Sequence, residues 1–168
     1  LDAFARLCGG RPAARLVIIG DGPERASLER QARRLDLEGA VTFLGASPHE
    51  EVLVWMRRAW VLAAPSVRAR DGDSEGLPTV IVEAAASGLP AVVTAHSGNA
   101  EAVVEGRSGF VVEERDAAAL ADRLSRLLGS ADLRHSMAGE ARCVAELHFD
   151  LARQTALLEH HYDRVSGS

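Results

Sequence analysis

The chain has 168 residues, 47% of them hydrophobic, and a formal net charge of −5. That length suits one globular domain burying about 70% of its unfolded surface. The acidic balance and a 4% aromatic content leave neither a basic footprint nor a stacking platform for nucleic acid. All 19 cations are arginine, which excludes Schiff-base, Walker and phosphate-binding lysines. Cys8 and Cys143 lie far apart with no CxxC pairing and no His at metal spacing, so a reduced, cytoplasmic chain without zinc or disulfide is expected. No apolar run reaches the ~20 residues of a membrane span and no signal peptide is visible; peripheral contact with the inner face of a membrane stays open.

In chain order, LDAFARL shows helical apolar spacing with no capping residue before it, as expected of a fragment cut inside a helix. Short apolar runs then alternate with helical patterns: RLVIIG, ERASLERQARRLDL, VTFLG, HEEVLVWMRR and AWVLAAP. The segment 78–87, AVVT, GFVV, the helix DAAALADRLSRLLGS and two closing helices follow. The pattern predicts a doubly wound, Rossmann-like α/β sheet of parallel strands near 16–19, 41–44, 60–63, 91–93 and 110–112. In such sheets a ligand lies outside the carboxyl ends of the strands, so the loops 20–23, 45–47, 65–77 and 94–99 become candidates. The 65–77 loop is unusually long and polar, which favours a functional role.

The stretch EGLPTVIVEAAASGLP reads as a helix over 78–87. Pro78 lacks the N–H that a central strand needs but fits the first turn of a helix, and Gly88 with Pro90 forms a stop. Glu75 then precedes the helix, and Glu83 lies one turn in, on the face of Thr79. Free amides near Gly76, Leu77 and Thr79, with the positive end of the helix dipole, suit phosphate. Each carboxylate suits neutral hydroxyls instead. A diphosphate at the helix tip with sugar hydroxyls on both flanks describes a nucleotide sugar. On chemistry alone the acids stay open between this reading and ordinary ones, Glu75 favouring the dipole and Glu83 solvated.

EGLPTVIVEAAASGLPAVVT followed by HSGNAEAVVEGRSGFVV, with RLVIIGDGPERASLE and VTFLG before them, resembles the C-terminal domain of the retaining glycosyltransferases of GT-B fold, family 4 of the sequence-based classification. The resemblance covers nearly the whole chain, 1–168. It implies that Glu83 binds ribose hydroxyls, that Glu75, the catalytic residue, holds a hydroxyl of the transferred sugar, and that the backbone of Gly76, Leu77, Pro78 and Thr79 meets the diphosphate. It further implies that Gly45, Ala46 and Ser47 border the base while Gly20 and Gly22 let backbone approach the ligand. It implies no cofactor and no protein-held metal. In the family a first strand central to the sheet, an Arg and Lys diphosphate clamp and an N-terminal acceptor domain precede the segment that LDAFARL resembles. They lie outside this chain, and the final helix, near 150–165, packs toward that other domain.

The expected function is transfer of a hexosyl unit from a nucleotide sugar to an acceptor hydroxyl, with polysaccharide biosynthesis as a lightly weighted setting and the isolated chain inactive. Two alternatives remain: a non-catalytic nucleotide-sugar-binding module and a sugar-nucleotide epimerase of the same fold. Gly20-Asp21-Gly22 begins a dinucleotide fingerprint, but Arg25 occupies its third small position. His96, past the AVVT strand at the presumed cleft mouth, is expected to be a partly exposed loop residue, with a contact to donor or acceptor as the alternative. Arg68 and Arg70 share their loop with Asp71 and Asp73 and are expected to be solvated.

Overall fold

The computed structural model describes residues 1–67, 76–96 and 98–166. The expectations for Glu75, Ser97 and the charged positions 68–73 therefore lie outside the described residues. In order the elements are α1 (Asp2–Gly10), β1 (Leu16–Ile19), α2 (Arg25–Arg34), β2 (Val41–Gly45), α3 (His49–Arg58), β3 (Leu62–Ala64) and α4 (Thr79–Ala86). They continue with β4 (Ala91–Thr94), α5 (Asn99–Ala102), β5 (Gly109–Val112), α6 (Ala117–Gly129), α7 (Ala131–His148) and α8 (Leu151–Ser166). Every strand pairing is parallel, which makes this the α/β fold expected from the alternation.

The strands do not join into one ladder. Among the described residues β1 pairs only with β2, while β3, β4 and β5 form a separate sheet in that order. Among the described residues β1 and β2 are thus edge strands of one sheet and β3 and β5 edge strands of the other. Burial follows the pairing: β4, flanked on both sides, is buried at all of its residues, whereas β1 and β3 are half-buried throughout. Amide exchange should show this directly. Strand amides without a flanking ladder open at lower free energy, so those of residues 62–64 are expected to exchange at least ~10-fold faster than those of 91–94. Equal protection would mean that the two sheets are hydrogen-bonded together in solution.

Apolar packing holds the halves together. One core cluster includes Phe4 and Leu7 of α1, Val41 of β2, Val92 and Phe110 of the second sheet, and Leu120, Leu124 and Leu127 of α6. On another face α4 meets α7 through Ala85, Ala141 and Ala145, where small side chains let the helices approach closely.

The strands β2, β4 and β5 each run one residue longer than expected, and two further boundaries differ more consequentially. The third strand is Leu62–Ala64, not 60–63. Trp60 stays outside it, 58% exposed, with the Arg134 guanidinium 4.2 Å from its ring centroid; the indole meets a cation rather than the core. The α4 helix begins at Thr79, with Pro78 as its extended cap at φ −64° and ψ 122°. Its β-branched run is tolerated because Ile81 is 1% exposed. Burying that side chain contributes about 1.5–3 kcal/mol, more than the few tenths each β-branched residue costs a helix.

Candidate functional site

The carboxyl ends of the strands carry every described residue expected at the site. After β1, Gly20 takes φ +129°, and a Cβ added at Gly20, Gly22 or Gly76 would meet open space. The Gly20 amide donates to the Gly45 carbonyl at 2.8 Å, tying the first loop to the end of β2. Gly45 itself has φ +78°, which strains any residue with a side chain, and an added Cβ, 2.7 Å from Arg25 Nη1, would displace the tip of that arginine. Arg25 is held over that loop by Glu29 at 3.0 Å and Asp21 at 3.4 Å. The Glu29 hydrogen bond, with the nearby charge of Asp21, raises its pKa above the usual arginine value.

From the end of β2, Ala46, Ser47 and Pro48 lead into α3, whose first residue, His49, places Nδ1 3.9 Å from Glu83 Oε2. That approach brings the 45–48 loop and α4 to one side of the molecule. The Glu83 side chain is 31% exposed, open enough to meet a ligand. At the start of α4 no side chain caps the helix. The amides of Gly76, Leu77, Thr79 and Val80 find no acceptor among the described residues, while Ile81 donates to the Pro78 carbonyl at 3.1 Å. An uncapped helix N-terminus with outward amides, at the carboxyl edge of a parallel sheet, suits an anionic group.

The loop after β4 closes the site from the other side. The Gly98 amide donates to the Gly76 carbonyl at 3.4 Å, and a Cβ on Gly98 would lie 3.1 Å from Leu77 Cα. His96 departs from expectation: it is 7% exposed, and its Nδ1 lies 2.7 Å from Glu114 Oε1. Sequence reasoning missed this pair, since nothing local marks Glu114 as its partner. Fully buried Asn99 gives its side-chain N–H to the Thr94 carbonyl at 3.3 Å, and its Oδ1 has no hydrogen-bond partner among the described residues. Among the described residues no group of three His, Cys, Asp or Glu could hold a metal, and no helix is long and apolar enough to cross a membrane.

Two surface hollows lie elsewhere. One, of about 260 Å³, is beside Trp60, Pro90 and Arg134 at the amino ends of β3 and β4. The other, of about 460 Å³, lies against Ser27, Arg30, Arg33 and Arg34 on α2.

Parallel strands alternating with helices define the Rossmann-like class of α/β domain. Within that class, the family model described as "Glycosyl transferases group 1" matches residues 1–143, and the chain belongs to that family. It is 39% identical over 125 residues to the putative colanic acid biosynthesis glycosyltransferase WcaL of Salmonella typhimurium, covering 74% of this chain and 31% of that protein. It is 42% identical over 117 residues to the amylovoran biosynthesis glycosyltransferase AmsK of Erwinia amylovora, covering 69% of this chain and 29% of that protein. The chain thus spans under a third of the length of these relatives. Among solved structures, Anabaena Alr3699/HepE in complex with UDP superposes with a TM-score of 0.84 at 26% identity, covering 97% of this chain and 43% of that one.

Proposed function

We propose that this chain is the donor-binding domain of a retaining, GT-B-type glycosyltransferase that moves a hexosyl unit from a nucleotide sugar to an acceptor hydroxyl, in the building of a polysaccharide. The observation that carries this is the α4 N-terminus: outward amides without acceptors among the described residues, one helical turn from a half-exposed Glu83 that faces the 45–48 loop. Amides and dipole receive the diphosphate; Glu83 accepts from the ribose hydroxyls; Gly45, Ala46 and Ser47 border the base. Gly20 and Gly22 give the ligand room, and Glu75 holds a hydroxyl of the transferred sugar. The superposition on a UDP-bound glycosyltransferase-fold neighbour and the kinship with two polysaccharide glycosyltransferases support the reading.

In this reading negative charge grows on the departing diphosphate as the acceptor hydroxyl attacks from the same face. Fixed N–H donors aimed at that charge stabilise the transition state more than the ground state. Neither a cofactor nor a protein-held metal takes part. The whole enzyme works in the cytoplasm, at the inner face of the membrane where that is the site of its acceptor.

Glu83→Ala in the full-length enzyme is the direct test. It removes a charge-assisted hydrogen bond, about 1.5–3 kcal/mol, and should weaken nucleoside diphosphate and donor binding alike, with turnover of bound donor nearly kept. Glu75→Ala should do the reverse, lowering turnover more than nucleoside diphosphate affinity, because its partner is on the sugar. Unchanged nucleotide affinity in Glu83→Ala would remove the ribose assignment.

A further inference from the structure

One buried titratable side chain at the carboxyl ends of the strands has no part in this reaction: His96. Burying an imidazole costs free energy unless its nitrogens are partnered, and here the partner is a carboxylate at 2.7 Å, with side-chain exposures of 8% for His96 and 30% for Glu114. A plain turn needs neither group. The loop carrying His96 has short backbone ties as well. Ala95 donates to the Val112 carbonyl at 2.8 Å, His96 to the Thr94 carbonyl at 2.7 Å and Asn99 to the His96 carbonyl at 3.0 Å. Thr94 Oγ1 reaches back to the Ser66 carbonyl at 2.5 Å, so loops after β3, β4 and β5 are linked. The far end of this loop is Gly98, whose backbone packs on Leu77 and bonds to Gly76, at the amides assigned to the diphosphate.

We propose that the His96–Glu114 pair is a positioning device for those amides: it pins the loop after β4 to the end of β5, and Gly98 in turn holds Gly76 and Leu77 in place before α4. The proposal rests on the nucleotide-sugar reading of the site for its functional half and on geometry for the rest. His96 and Glu114 touch no substrate. They act through Gly98, and any residue at position 98 larger than glycine would push Leu77 away. A charge-assisted bond 18 residues apart in sequence costs little loop entropy to keep once both strands are paired, because the β4–β5 ladder already aligns its ends.

The test is a double-variant cycle on this chain, with His96→Ala, Glu114→Ala, their combination and Glu114→Gln. Two readings are taken by amide NMR: the Gly76, Leu77 and Gly98 shifts in the free protein, and titration with UDP, GDP and inorganic pyrophosphate. Either alanine variant should displace those amides and weaken binding of the responding probe about 10-fold, the effect of losing one strong hydrogen bond. The combination should be no worse than one alone, since coupled residues are non-additive. Glu114→Gln keeps an oxygen acceptor and should stay within about threefold of wild type. Unmoved Gly76 and Leu77 amides, or fully additive losses, would overturn the device. Should His96→Ala lose its dispersed spectrum, Glu114→Ala leaves the ring in place and decides the matter by the same free-state shifts. The free-state shifts decide the positioning role by themselves, whereas the nucleotide reading stands or falls on the Glu83→Ala measurement in the full-length enzyme.

Discussion

The 168-residue chain, assayed alone with UDP- and GDP-hexoses, is expected to transfer no sugar and to bind the nucleoside diphosphates only in the millimolar range or weaker. Among the described residues its site is exposed: Glu83 is half-exposed, and Gly76 and Thr79 are exposed. Aligning two substrates and excluding water can supply about 7–11 kcal/mol of a bimolecular barrier, and a single wall does neither. The chain spans 31% of the length of one glycosyltransferase relative, which leaves most of such an enzyme to form the second wall. The chain has no lysine, and the family resemblance places the lysine of the diphosphate clamp outside it. Each lost charged contact is worth about 1.5–3 kcal/mol, enough together to move a micromolar affinity to millimolar. Calorimetric titration with UDP and GDP, beside a sugar-transfer assay, checks both halves. Micromolar binding or measurable turnover would show that this face suffices.

Leu127→Ala is expected to destabilise the fold by about 2–5 kcal/mol, lowering Tm by roughly 4–20 °C for a chain of this size. Leu127 is 0% exposed and belongs to the cluster that contains residues of both sheets. Because those sheets share no ladder among the described residues, apolar packing is what sets one against the other. A cavity there should loosen the 20–22 and 45–48 loops relative to α4, as well as lower the melting point. Leu158→Ala on α8, where the side chain is 55% exposed, should change stability by less than about 0.5 kcal/mol. Urea denaturation of the two variants measures the contrast; a Leu127→Ala cost below about 1 kcal/mol would mean that the cluster does not bear on the joint.

Much of this was legible from residue order. The strand at 16–19 falls where RLVIIG predicts it, and Pro78 marks the start of α4 because a residue without an N–H is costly in a ladder and free at a helix cap. The candidate loops follow from the alternation of strand and helix, since parallel connections put all carboxyl ends on one edge. Trp60 was misplaced for a stated reason. Its apolar neighbours in AWVLAAP continue a strand pattern, but Arg134, from a helix far along the chain, takes the ring outside the sheet.

The sequence by itself determined the class of fold, the helical state of 79–86 and the presence of uncapped amides before it, because period, proline and glycine act on the backbone within a few residues. Tertiary structure alone decided that the described strands fall into two sheets, that His49 meets Glu83, that Arg25 covers Gly45 and that His96 is buried on Glu114. Each of these is a contact between segments brought together only when apolar faces are buried. The side chains involved are ordinary polar residues whose identity says nothing about a partner until packing has fixed the distance.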